Sequence, residues 1–384
     1  MNTPLSTLPA DTGAEHTVAE IAQQPALWRE VGRIVATGRT ALDAFLGPVL
    51  SAPDARIVLT GAGTSGFAGE VLRTGLSRHL GRRVDAVATT DIVADPHGSF
   101  TEDVPTLLVS FARSGDSPES TAAADLAERC LTRVAHLVIT CNSEGRLARE
   151  HAGRPSSYVL LMPPEANDRG FAMTSSFTCM LLAALLALGP ASAAASVAGL
   201  AAVAERITDG GLDAAVDSLL ARAPERLVYL GGGTLKGLAG ESALKLLELT
   251  GGAVVATADT PLGFRHGPKA VLNDRTAVVV YVSNDAYTRK YDLDIVAELR
   301  AALPPGNVVA VSARPDGLPA DGTWLVPVQP GTDDTAFALP AVVCAQLIAL
   351  RASLSRGIRP DNPFPSGEVN RVVQGVTVHP LPTR

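Results

Sequence analysis

Six short apolar runs, rich in β-branched residues, recur along the chain at residues 56–60, 106–111, 136–141, 226–230, 276–281 and 307–312. Each ends in a polar or Gly-rich turn, and stretches of helical periodicity lie between them. Runs without polar alternation suit strands buried on both faces of a parallel sheet. Alternation of strand and helix signals predicts βαβ units. The runs also repeat. Residues 56–64 (RIVLTGAGT) match residues 226–234 (RLVYLGGGT), and residues 106–111 (TLLVSF) match residues 276–281 (TAVVVY). After one inserted residue, Ala68-Gly69-Glu70 matches Ala239-Gly240-Glu241.

The fold predicted is α/β: two duplicated domains, each a doubly wound, mainly parallel sheet flanked by helices. Residues 1–50 read as a helical lead-in of one or two short helices, 51–205 as the first domain and 206–384 as the second. An Ala-rich helical connection is expected over 190–222, and Pro360, Pro363 and Pro365 predict an extended tail. One long apolar tract is apparent, residues 177–203, broken by Gly189-Pro190. Its uninterrupted part is too short to cross a bilayer, so two buried helices and no membrane association are expected.

Composition narrows the function. Over 384 residues, 32 Lys and Arg against 39 Asp and Glu leave a net charge of −7. Nucleic-acid binding over a broad surface needs clustered cations and is not expected. Cys130, Cys141, Cys179 and Cys344 are scattered without ligand-like spacing, which argues against a disulfide scaffold or a zinc site and for the cytoplasm. Residues 1–17 have neither a basic start nor an apolar core, so no signal peptide is expected.

In open α/β sheets, ligands sit beyond the carboxyl ends of the strands. The first such turn reads Gly61-Ala-Gly-Thr64-Ser65-Gly66 and leads into a helix. Glycines let backbone N–H groups approach an anion, and a helix start favours negative charge. Glycine can equally serve only to turn the chain. The second turn, Ala112-Arg113-Ser114-Gly115-Asp116-Ser117, clusters hydroxyl donors. Ser117 can also be a plain helix cap, and the two roles are compatible. The matching turn of the second half, Val282-Ser283-Asn284-Asp285, lacks this signature.

That half carries different chemistry. Glu241, Lys245 and Glu248 fall at i, i+4 and i+7, on one helix face. The pattern fits a surface ion-pair ladder, or a general base tuned by an ammonium. Downstream, His266 stands between Arg265 and Gly267-Pro268, a loop setting better suited to reaction than to packing.

Together, Gly-x-Gly-Thr-Ser, Ser-Gly-Asp-Ser, Glu-x-x-x-Lys-x-x-Glu and His-Gly-Pro resemble the tandem sugar isomerase (SIS) domain proteins. The segments 110–120, 167–178 and 263–269 resemble most the AgaS-type group of tagatose-6-phosphate ketose/aldose isomerases and galactosamine-6-phosphate deaminases. The likeness runs from about residue 30 to the C-terminus. It implies Glu248 as the proton-transfer base, Lys245 as the lysine beside it, and His266 as the ring-opening residue supplied by a neighbouring subunit, hence a homodimer. Thr64, Ser65, Ser114 and Ser117 would form the phosphate cradle. Two departures stand out. Ala112 replaces one cradle serine, leaving Ser110 or Arg113 to compensate, and Gln374 stands where the related synthases carry a lysine. No glutaminase domain is visible.

The function expected is an amino-sugar 6-phosphate isomerase/deaminase that needs no metal or other cofactor. Proton transfer from C2 to C1 precedes loss of ammonia; the plain isomerase shares every motif. One alternative is a lyase that eliminates a C3 substituent from an N-acetylhexosamine 6-phosphate. Another is a non-catalytic sugar-phosphate sensor, which residues 1–50 disfavour because they show no basic cluster.

Overall fold

The structure, a computed structural model, describes residues 11–373 and 375–382. The chain forms two compact units, each with one sheet. Among the described residues, the first unit comprises Leu27–Asn167, Ser175–Ala194 and the tail from Gly367; the second comprises residues 11–26, Asp168–Thr174 and Ala195–Ser366. Neither unit is a single stretch of sequence.

In the first unit, β1 (Arg56–Thr60), β2 (Val84–Ala86), β3 (Thr106–Ala112), β4 (Val134–Thr140) and β5 (Ser157–Leu161) pair in the order β2-β1-β3-β4-β5. In the second, β6 (Arg226–Gly231), β7 (Val255–Asp259), β8 (Thr276–Val282), β9 (Val308–Ser312) and β10 (Thr323–Leu325) pair in the order β7-β6-β8-β9-β10. Every pairing is parallel. The two sheets therefore share one topology, as a duplication requires, and each reverses its winding between its first and third strands.

The central strands are the runs visible in the sequence. Residues of β1, β3 and β8 are buried throughout, and each fully buried Val or Leu contributes about 1.5–3 kcal/mol. One core sits between the first sheet and the helix Pro118–Cys130, with Val58, Leu108, Ala123 and Ala127 in contact. Its counterpart joins Val228, Val278 and Val280 to Ile295 and Leu299 of the helix Thr288–Ala302.

Three expectations need correction. The lead-in is one 37-residue helix, Glu15–Ser51, not one or two short ones. Its spaced apolar residues Ile21, Trp28, Val31, Val35, Leu42 and Leu46 are buried, so packing along its length sustains it. Of the two helices in the 177–203 tract, Ser175–Leu188 is wholly buried, but Ser192–Arg206 has an exposed face. That tract is also not the one long apolar element. The helix Asp334–Leu354 is long and apolar enough to cross a membrane, and 94% of its apolar window is buried inside the protein. It packs on the helix Leu235–Leu249 of the same unit, as a core helix.

Candidate functional site

Each unit presents one set of the predicted site residues. In the first, they gather at the carboxyl ends of β1 and β3. The helix Thr64–Leu80 begins directly after the glycine turn, and Thr64 and Ser65 are buried in its first turn. Gly63 stands at φ +54°, a conformation that favours glycine. A Cβ on Gly61 would lie 2.6 Å from the Ser65 carbonyl carbon. Both glycines are thus needed to fold the turn against the helix start. Ser110 pairs in register with Thr60 and is buried in β3. The Thr60 hydroxyl beside it is buried without a hydrogen-bond partner, which the strand pattern gave no reason to single out.

After β3, Ser114 and Ser117 are half-buried. The Ser114 hydroxyl accepts from the Asp116 N–H at 3.3 Å. Ser117 caps the helix Pro118–Cys130, accepting from the Ser120 N–H at 3.3 Å. The Ser117 and Ser120 hydroxyls are 2.6 Å apart. If Ser120 donates there, the Ser117 proton remains for an anion, so capping and anion binding coexist. Asp116 holds the backbone instead, its carboxylate accepting from the Arg146 N–H at 2.8 Å, at the start of the helix Arg146–His151. Arg113, expected to compensate for Ala112, donates to the Arg371 carbonyl at 2.7 Å. This bond and that from Arg129 to the Leu381 carbonyl at 2.8 Å fasten the tail to the first unit. Gln374, the position of the missing lysine, lies outside the described residues.

In the second unit, the helix Leu235–Leu249 follows β6. Lys245 is fully buried, with its ammonium 3.5 Å from Glu241 and hydrogen-bonded to Glu248. Glu241 is as buried as Lys245, whereas the Glu248 side chain is 24% exposed. A surface ladder is therefore the wrong description. A buried ammonium is tolerable only with anionic partners, and the spacing supplies two. Of the three side chains on that face, Glu248 is the member that reaches solvent. The same helix is braced from β8, where the Tyr281 hydroxyl lies 2.7 Å from that of Ser242. Burial pushes the Tyr281 pKa well above its usual value, so it remains a neutral hydroxyl.

His266 lies beyond β7, exposed between two short helical turns, Pro261–Phe264 and Pro268–Val271. Buried Phe264 anchors the loop on one side. Arg265, 2.8 Å from Glu298, and Lys269 on the same carboxylate anchor the other. The loop is fixed, and its histidine is left open.

The segment 167–178 was conspicuous only by resemblance. Its Asp168 is buried and accepts from the Thr174 N–H at 2.8 Å, closing a loop. Glu20 accepts from the N–H groups of Arg169 and Gly170, the latter at 3.0 Å. Burial, then the Asp168 charge, raises the Glu20 pKa to about 7. Nothing in the local sequence around Glu20 signals this role. Among the described residues no group of three or more metal-ligating side chains is assembled.

Comparisons with known proteins agree with this geometry. The SIS domain family matches residues 50–189. A Streptomyces coelicolor protein, provisionally named D-galactosamine-6-phosphate deaminase AgaS, is 67% identical over 384 residues, 99% of this chain and all of that one. The D-galactosamine-6-phosphate deaminase AgaS of Shewanella sp. is 43% identical, over 96% of this chain and 93% of its own. The crystal structure of the tagatose-6-phosphate ketose/aldose isomerase from Escherichia coli superposes with a TM-score of 0.89 at 40% identity, covering 99% of each chain. With two sheets of one topology, hydroxyl-lined turns on one and a buried carboxylate–lysine–carboxylate helix on the other, the chain belongs to the AgaS family of SIS-domain sugar-phosphate isomerases and deaminases.

Proposed function

We propose that this enzyme converts D-galactosamine 6-phosphate and water to D-tagatose 6-phosphate and ammonia. The observation that carries the reading is Lys245, fully buried between two carboxylates of which Glu248 reaches the surface. A carboxylate held beside a fixed ammonium, with one open edge, is placed to take and return a proton.

The hydroxyls and backbone N–H groups of Thr64, Ser65, Ser114 and Ser117 hold the phosphate. His266 assists breakage of the ring C1–O5 bond, moving the anomeric hydroxyl proton to O5 and leaving a C1 aldehyde. Glu248 removes the C2 proton, giving an ene-amine, and delivers it to C1. The resulting C2 iminium adds water and expels ammonia, leaving the ketose. Positioned donors stabilise the ene-amine oxygen. The galacto configuration rests on the names of the Shewanella and E. coli relatives, whose amino sugar and ketose share one C4 stereocentre.

The exposure of His266 on a pinned loop supports a homodimer in which this histidine serves a second copy. Four cysteines without a disulfide fit a reducing compartment, the cytoplasm. A second reading, plain ketose–aldose isomerisation of tagatose 6-phosphate, is favoured by the E. coli structure's name. Product analysis by NMR and mass spectrometry separates them. Purified protein is incubated with galactosamine, glucosamine and N-acetylglucosamine 6-phosphates and with tagatose 6-phosphate, beside Glu248→Gln. Ammonia with tagatose 6-phosphate upholds the deaminase. Aldose formation from tagatose 6-phosphate, with no ammonia from either amine, establishes the isomerase. A product 18 mass units lighter than its N-acetylated substrate establishes the lyase.

A further inference from the structure

The second sheet reverses between β6 and β8, the place where the first sheet carries its hydroxyl-lined turns. Its turn sequence lacks the Ser-Gly-acid signature, yet the parts of an anion site are present. The N–H groups of Ser283 and Asn284 and the Ser283 hydroxyl stand together on one turn, the first facing Asp292 and the other two facing Asp334. The glycine turn 231–233 follows β6 as the turn 61–63 follows β1. Arg289, buried, backs the assembly and donates to the carbonyls of Ser283, Arg314 and Asp316 and to the Ser312 hydroxyl.

Carboxylates of the chain itself fill these donors. Asp292 is fully buried and accepts from the Ser283 N–H at 2.8 Å. Its other oxygen has no hydrogen-bond partner and lies 3.4 Å from where a Cβ of Gly232 would be. This carboxylate thus lies between the two turns of the switch point. Asp334, at the start of the helix Asp334–Leu354, accepts from the Asn284 N–H at 2.7 Å and the Ser283 hydroxyl at 2.5 Å.

We propose that the second unit retains an anion cradle plugged by its own Asp292 and Asp334, and that removing the Asp334 carboxylate opens it to a phosphate group. The chain then takes one phosphorylated ligand because one of its two cradles is internally occupied. This rests on the reading of the first cradle as a phosphate site, but the two can fail separately.

Inorganic phosphate bound per full-length chain is counted by calorimetry and ³¹P NMR titration, with circular dichroism as the check on folding. The wild type is expected to bind one and Asp334→Ser two. Adding Ser114→Ala to Asp334→Ser removes the first and leaves the second. A folded Asp334→Ser chain that still binds one overturns the proposal, as does a wild type that binds two. A wild type that binds none overturns the first cradle instead, and a gain of one in Asp334→Ser then still upholds the plug. Should Asp334→Ser not fold, amide hydrogen exchange on the wild type decides. Phosphate is expected to slow exchange at residues 114–117 and to leave Ser283 and Asn284, already protected, unchanged. Phosphate-dependent slowing at Ser283 or Asn284 overturns the proposal.

Discussion

The two units have the same strand order but opposite equipment. After β3, the first offers half-buried serine hydroxyls; after β8, the second offers donors already engaged by Asp292 and Asp334. The helices following β1 and β6 differ in the reverse sense. Glu241, Lys245 and Glu248 correspond, through the one-residue insertion, to Glu70, Thr74 and Ser77. Glu70 is 41% exposed with Arg73 3.9 Å away, whereas Glu241 is buried against Lys245. Duplication supplied two copies of one frame, and the two copies carry different side chains at matching positions. The lesson is that a shared fold locates the ligand edge without saying which chemistry occupies it.

Four sets of substitutions sharpen this division. Glu248→Gln should produce the largest change, a loss of about 10²–10⁴ in kcat, the usual worth of a general base. KM should change little, and Glu70→Gln in the first unit should leave turnover intact; ammonia release reads both. Lys245→Met should cost about 3–5 kcal/mol of stability by stranding buried Glu241. Adding Glu241→Gln should recover part of the lost Tm, and no recovery would mean that Lys245 does not serve to neutralise Glu241.

Ser114→Ala should raise KM for the phosphorylated substrate about tenfold, one hydrogen bond to a charged group. Ser283→Ala, its counterpart in the plugged turn, should lower Tm and leave KM unchanged. Equal KM effects would erase the distinction between open and filled cradles. The last prediction concerns pH. Burial, opposed by the Ser283 N–H and Arg289 and reinforced by Asp334, raises the Asp292 pKa from 3.8 to about 7. The folded state then holds an extra proton between about pH 4 and 7, so this group's contribution to stability falls as pH rises through that window. Asp292→Asn lacks the slope. Its Tm should gain most on the wild type above pH 7, and the gain should shrink toward pH 4.

Much of this frame was legible because periodicity and repetition survive in the one-dimensional pattern. Strands β1, β3, β4, β6, β8 and β9 coincide with the apolar runs, and the i, i+4, i+7 spacing placed Glu241, Lys245 and Glu248 on one face. The short or edge strands β2, β5, β7 and β10 were not read, because partial burial weakens their apolar signal. Burial of the ion-pair face was equally invisible, since a ladder on a surface and a charge trio in a core share one spacing. Arg113 shows the same limit: nothing in the sequence signals that it donates to the carbonyl of Arg371, 258 residues away.

From the sequence alone came the α/β class, the internal duplication, the glycine turn, the serine-rich turn and the acid–lysine–acid helix. These depend on local propensity and on spacing along one element, which neighbours in sequence encode. Tertiary structure decided that Lys245 is buried, that Asp168–Thr174 is pinned by Glu20, that the tail from Gly367 joins the first unit, and that Asp292 and Asp334 occupy the second cradle. Each of those joins groups distant along the chain or turns on whether water reaches a charge, and only the packed fold sets either.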